Sequence, residues 1–405
     1  MSHILSLFLI VYMCAYILPS VLLSLLQIRH IKAALHKPAL LLESEDYKEA
    51  GSYSIASLKL GLVGYGLNAL AITLWVCYGL GALSELLHTH IPHHIWQGIA
   101  LVLGYVIINA AIELPLSLYK TFWLDKAYGF SKQTPLLFVI DTLKSLALSL
   151  VIGGVVVWIL ILVIERVELW WLAGFGVAFV LALLANFIYP VLIAPLFNKF
   201  TPLNDENLKA RIESLLQSVG FKSSGIFVID ASRRDGRLNA YFGGFGKTKR
   251  VVLFDTLLDK ISSDGLIAIL GHELGHFKHK DLLKSLVITA CVMFLLFFIV
   301  GHLPPALFES LGLEQNGASV LITLLLVGNL VSFWAMPLIG YFSRKAEYAA
   351  DAFGAQISSK NCLANALVRL VNENKAFPSS HPAYIFFYYT HPPLLQRLKA
   401  LDYDY

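Results

Sequence analysis

Seven runs of mostly apolar residues constrain this chain more than any other feature. They lie at 4–26, 60–82, 95–118, 142–164, 169–193, 283–301 and 318–341, and each is about 20 residues long, enough to cross a hydrocarbon core as a helix. A chain that is 57% hydrophobic and only 14% charged, with a mean hydropathy of +0.68, is a polytopic membrane protein and not a soluble domain. The first run has no basic segment before it, an apolar core too long for a signal peptide and no small-residue cleavage site after it. It is read as a retained span.

The connections carry an orientation signal, because cytoplasmic loops hold the excess of lysine and arginine. The first connection contains Arg29, Lys32, Lys37, Lys48 and Lys59, and the third contains Lys120, Lys126, Lys132 and Lys144. The second and sixth have none and the fourth only Arg166. This alternation puts the N-terminus outside, and the fifth connection and the C-terminus in the cytoplasm. The formal charge of +4 is spread among apolar runs without a basic stripe, which argues against a nucleic-acid partner. Cys14, Cys77, Cys291 and Cys362 share no ligand-like spacing, so neither a disulfide framework nor a cysteine metal site is expected.

Two polar regions interrupt the membrane pattern. In the first, NDENLKARIESLLQSVG spaces Leu208, Ile212, Leu215, Leu216 and Val219 as one face of an amphipathic helix that stops at Gly220. GIFVID, LNAYF and RVVLF follow as short strands, with GGFGKTK between the last two as a hairpin turn. The second region is a helical tail containing SRKAEYAAD and HPPLLQRL.

The sharpest chemical signal is His272-Glu273-Leu274-Gly275-His276, preceded by ISSDGLIAIL. Residues four apart share a helix face, so both imidazoles can reach one zinc ion while Glu273 serves as general base toward water. A metzincin continuation is excluded, since His279 and Leu282 occupy the positions of its glycine and third histidine. A glutamate from a later helix is the alternative third ligand, and Glu347 in SRKAEYAAD is the best candidate. Spans six and seven form a hairpin that returns the chain to the same membrane face. Asp351, one turn after Glu347, is placed to hydrogen-bond a ligand imidazole. His279 is read as an interfacial residue. Asn68, Asn109, Glu113 and Asn186 fall inside spans and are expected to face the protein interior or a wet cavity.

These segments together resemble the integral-membrane zinc prenyl proteases, the type I CAAX proteases, in the form of a prokaryotic-like member. The resemblance rests on HELGH and SRKAEYAAD, and on ELPLSLYKTFWLDKAYGFSKQT, PLFNKFTPL, NAYFGGFGKTKRVVLFDTLL and HPPLLQRL. It implies seven helices around a chamber, with a gluzincin-type zinc protease domain containing a small β-sheet. It further implies one zinc ion on His272, His276 and Glu347, catalytic roles for Glu273 and Asp351, and oxyanion stabilisation by His391 and Arg397. Asn239, Ala240 and Tyr241 would form a substrate-clamping edge strand. The expected domains are a five-span region at 1–196, the first part of the protease domain at 197–281, a membrane hairpin at 282–341 and the remainder of the protease domain at 342–405.

The function implied is a zinc-dependent membrane endopeptidase acting at the cytoplasmic face on peptides or proteins, lipidated or not, in contact with membrane lipids. The membrane would be the plasma membrane in a prokaryote or the ER in a eukaryote. The short sixth connection and the absence of an ER-retention signal at LKALDYDY suit the prokaryotic form, in which quality-control proteolysis of misfolded membrane proteins is the second reading. A non-catalytic metal-binding transporter or scaffold is the third, and Glu273 argues against it.

Overall fold

The computed structural model describes residues 2–244 and 249–403. Seven helical segments are long and apolar enough to cross a membrane: His3–Leu35, Ser44–His90, His94–Ala127, Pro135–Arg166, Trp170–Phe197, Asp281–Gly301 and Gly317–Ile357. They coincide with the seven apolar runs but extend past them. Local signals set several starts. Thr134 accepts from Leu137 N ahead of Pro135, and Asn316 forms a reciprocal capping box with Ser319.

The spans bury Tyr12, Trp75, Val102, Ile161, Phe308 and Ile322 between them, while Leu7, Leu143, Val151 and Val180 remain exposed on the outside. Apolar side chains on the surface as well as in the interior suit a protein whose solvent is hydrocarbon. Tyr12 Oη donates to Asn68 Oδ1 at 3.0 Å and Trp75 Nε1 to Asn109 Oδ1 at 3.3 Å, which ties the first three spans together. Asn68, Asn109 and Glu113 line a cavity of about 540 Å³, which fits the cost of exposing such groups to lipid. Asn186 is exposed, and its amide donates back to Ala182 O at 3.0 Å.

On one side of the helices sits a four-stranded sheet: β1 (Phe200–Pro202), β2 (Ile226–Ile229), β3 (Ala240–Gly243) and β4 (Arg250–Phe254), in the order β1-β2-β4-β3. β2 and β4 run parallel, and the other two pairings are antiparallel. Three strands come from GIFVID, LNAYF and RVVLF. β1 is an addition, a three-residue edge whose Pro202 weakens the local strand pattern. Residues 245–248, within the GGFGKTK turn, lie outside the described residues. The amphipathic helix runs from Glu206 to Ser218 behind the Asp205 cap, and the chain turns at Gly220 with φ +67°.

The HELGH motif lies on the helix Ser263–Lys278, started by Ser262 accepting from Gly265 N. Only His279 and Lys280, the latter left-handed at φ 55°, separate this helix from the sixth span. The seventh span continues without a break to Ile357 and carries SRKAEYAAD with it. The boundary drawn between 341 and 342 therefore falls within one helix, because the polar residues after the apolar run are themselves good helix formers.

Candidate metal centre and peptide-binding edge

Two glycines let the motif helix and the seventh-span helix approach backbone to backbone. A Cβ on Gly275 would stand 2.8 Å from Ala350 Cα, and one on Gly354 would stand 2.9 Å from His272 N. This approach sets Glu347 opposite both motif histidines. Glu347 Oε2 lies 3.5 Å from His272 Nε2 and Oε1 lies 3.2 Å from His276 Nε2. Among the described residues this is the one trio whose ligand atoms fall within 4.8 Å of one another.

The outer nitrogens of both rings are held by carboxylates. His272 Nδ1 is 2.8 Å from Asp351 Oδ1, and His276 Nδ1 is 3.1 Å from Asp281 Oδ2. A proton on each Nδ1 donated to its carboxylate leaves each Nε2 as a free acceptor turned toward Glu347, the tautomer a metal ligand needs. Burial disfavours a charge on His276, but the Glu347 and Asp281 carboxylates more than offset it and raise its pKa to about 9.

The residues fit a divalent ion on an independent observation. Glu347 is only 2% exposed, and its Oε2 is buried without a hydrogen-bond partner. A carboxylate oxygen withdrawn from water without a hydrogen bond, with the Arg397 guanidinium no nearer than 3.6 Å, is costly, and a bound cation would supply the missing interaction. Two imidazole nitrogens and one carboxylate also form the donor set of an open catalytic zinc site.

Arg397 closes the floor of the site. Its Nε and Nη2 grip Asp351 at 2.8 and 2.6 Å, and its Nη1 is 3.6 Å from Glu347 Oε2. Burial works against its charge, yet the paired Asp351 raises its pKa, so it remains a guanidinium. His391 Nδ1 sits 2.9 Å from Glu347 Oε1 on a side chain that is 66% exposed, at the rim. Glu273 is half-buried and lines a cavity of about 230 Å³ together with Asn239, Ala240 and Asn374.

β3 is an edge strand, and Asn239 and Ala240, at its start, line the same cavity as Glu273. The ring of Tyr241 does not line that cavity. It packs with Ile229, Ala231 and Val252, while its backbone pairs with Val252. His279 is half-buried at the end of the motif helix.

Two residues near the site escaped the sequence reading. Asp281 had a usable signal, an acid just after the motif in HFKHKD. Asn374 had none, since it acts on Leu238 from a distant part of the chain.

Comparison with known proteins agrees with this architecture. Residues 27–199 match the family model described as CAAX prenyl protease N-terminal, five membrane helices, and residues 202–404 match peptidase family M48. The chain is 37% identical over 338 residues to the CAAX prenyl protease 1 homolog of Oryza sativa subsp. japonica, covering 80% of this chain and 75% of that one. It is 33% identical to CAAX prenyl protease 1 of Saccharomyces cerevisiae, covering 89% and 87%. The crystal structure of S. mikatae Ste24p superimposes with a TM-score of 0.88 at 29% identity, over 98% of each chain.

Proposed function

The chain belongs to peptidase family M48 as a membrane metalloendopeptidase of the CAAX prenyl protease type, and from that premise we propose that it holds zinc on His272, His276 and Glu347 and cuts peptide bonds at the cytoplasmic membrane face. The observation that carries the ligand assignment is the buried Glu347 Oε2, which accepts no hydrogen bond, opposite two carboxylate-oriented imidazoles. A bound zinc ion supplies Lewis acidity, polarising the scissile carbonyl and making water a stronger acid.

The chain's own residues do the remaining work. Glu273 takes the proton of the attacking water and returns it to the leaving amine. Asp351 and Asp281 hold the two imidazoles in the required tautomer. Arg397 and His391 place hydrogen-bond donors where negative charge develops on the carbonyl oxygen. The outward backbone groups of Ala240 and Phe242, on the open margin of β3, hold the substrate backbone by strand addition, which is indifferent to side-chain sequence, and Asn239 contributes its side chain, which caps Ala240 N at 2.8 Å. Tyr241, whose backbone pairs with Val252 of β4, contributes by holding β3 in the sheet.

The basic first and third connections support an outside N-terminus, with residues 197–281 and 342–405 forming one cytoplasmic protease domain around the hairpin at 282–341. A site beside the membrane suits substrates held there by lipid. A single prenyl chain anchors weakly and reversibly, so such tails would reach this enzyme at raised local concentration.

Glu273→Gln is expected to retain zinc while losing at least about a hundredfold in turnover. Full activity in that variant refutes the mechanism. Substrate preference is tested with two peptides of one CAAX-type sequence, one farnesylated and one unmodified, with Glu273→Gln as blank. Preference for the farnesylated peptide supports prenyl-tail processing, and equal cleavage supports general membrane proteolysis.

A further inference from the structure

The open margin of β3 has an end. Asn239 O accepts from Phe254 N at 3.1 Å, and antiparallel pairs alternate in phase. The backbone groups of Asn239 and Tyr241 therefore face β4, and those of Leu238, Ala240 and Phe242 face outward. At Leu238 both outward groups are taken by a single side chain. Leu238 N donates to Asn374 Oδ1 at 2.8 Å, and Asn374 Nδ2 donates to Leu238 O at 3.2 Å. The amide thus imitates one residue of an adjacent strand.

One step further along, Ala240 N is satisfied by Asn239 Oδ1 at 2.8 Å. Among the described residues nothing is bonded to the Ala240 carbonyl or to the outward N–H and C=O of Phe242.

Asn374 is held firmly in this position. It follows the helix Lys360–Glu373, and its own N–H bonds to Leu370 O at 3.0 Å. The next residue, Lys375, is left-handed at φ 46°. Its ammonium is bonded to Glu49 of the second span at 2.5 Å and to the Tyr128 carbonyl at 2.7 Å. A neighbouring contact, Asn372 Nδ2 to Asp46 Oδ2 at 2.8 Å, ties the same turn to the same span.

We propose that Asn374 is a specificity-determining residue that closes one end of the substrate-binding edge and so fixes which peptide bond lies beside Glu273. This rests on the reading of β3 as the substrate edge. A peptide added to β3 pairs from Ala240 toward Gly243 and finds no partner beyond Ala240 in the other direction. On that blocked side the backbone leaves the sheet and enters the apolar space lined by Leu370, Val371 and Ala376. Those residues are shared with a second cavity of about 370 Å³ that reaches Phe377, Tyr389 and His391. The site therefore grips backbone on one side of the cut and reads side chains on the other. Release of Leu238 would let a peptide slide by two residues, the smallest shift that keeps each side chain on its original face.

The test uses full-length protein in lipid vesicles and a peptide whose products are identified by mass spectrometry. A series in which single backbone amides are N-methylated is cut by the wild-type enzyme, so the result does not depend on a variant folding. Methylation at two positions, two residues apart on one side of the scissile bond, should raise KM about three- to tenfold each, the scale of a lost hydrogen bond. The first two amides on the other side should be insensitive. Asn374→Ala should yield a second product displaced by two residues, at about a tenth of the main one.

Equal N-methyl effects on both sides, or an Asn374→Ala enzyme that is slower but cuts only at the original bond, overturns the proposal and leaves the edge-strand reading intact. Insensitivity at every position overturns the edge-strand reading, and this proposal with it.

Discussion

Gly275→Ala is the most direct test of how the fold builds the metal centre. The new methyl would stand 2.8 Å from Ala350 Cα and 3.2 Å from Ala350 O, whereas non-bonded carbon atoms settle at about 3.5 Å or more. Both atoms belong to helix backbone, so no side chain can swing aside, and the two helices must separate by about 0.7 Å. Metal–ligand distances tolerate roughly 0.2 Å, and the ligands are divided between those helices, with His272 and His276 on one and Glu347 on the other. Overpacking of this kind costs about 1–3 kcal/mol. If the strain is relieved when the ligands let go, zinc affinity falls by about 5- to 150-fold.

The assay is zinc competition against a chromogenic chelator, with turnover measured in the same preparation. Gly176→Ala serves as control, because nothing lies within 4 Å of a Cβ there. The control should bind zinc as the wild type does. If Gly275→Ala also retains wild-type zinc affinity, the two helices are not what sets the ligand geometry and the argument is wrong.

Four further outcomes follow from the contacts around the metal centre. Zinc uptake should be strongly pH-dependent, since ion binding must displace the proton that His276 holds up to about pH 9. Affinity measured with metal buffers should rise by up to about tenfold per pH unit between pH 6 and 9 and then level off. In chelator-treated protein the same imidazolium contributes stability that is complete below pH 6.5 and lost as pH rises through about 9, so a flat melting profile across that window counts against it. Asp281→Asn should weaken zinc binding by about 10- to 100-fold in the same competition assay, since it removes the carboxylate that orients His276. Arg397→Lys keeps the charge but loses the two-pronged grip on Asp351, so kcat should fall at least about tenfold with zinc retained. Loss of zinc in that variant would assign Arg397 to building the site instead.

Much of this is legible in the sequence alone. Apolar runs of membrane length are imposed by solvent and need no tertiary information, and His272 and His276 are joined by helix periodicity alone. Glu347 could be nominated because two crossings return the chain to its starting face. The pattern was silent where a contact depends on distant parts of the chain meeting. β1 is three residues long and contains a proline. The amide of Asn374 occupies Leu238 only because a turn held by Glu49 and Tyr128 delivers it there. Tyr241 shows the converse limit: a strand motif identifies the backbone that pairs, but the sheet's packing decides where the ring goes.

The helix that carries Glu347 has a mechanical consequence. It runs as one helix for 41 residues from its cap at Asn316, with Pro337 inside it, about 60 Å, or roughly twice the thickness of a hydrocarbon core, and Glu347 sits 30 residues into it, about 45 Å from that cap. A carboxylate hung from such a lever registers the angle at which the lever stands. A bilayer thinner than a span is accommodated partly by tilt of that span, and the motif helix, packed against the lever through Gly275 and Gly354, must follow that tilt or strain. Turnover of the same polypeptide is therefore expected to differ between vesicles of short-chain and long-chain lipids, and equal rates in the two would refute that coupling.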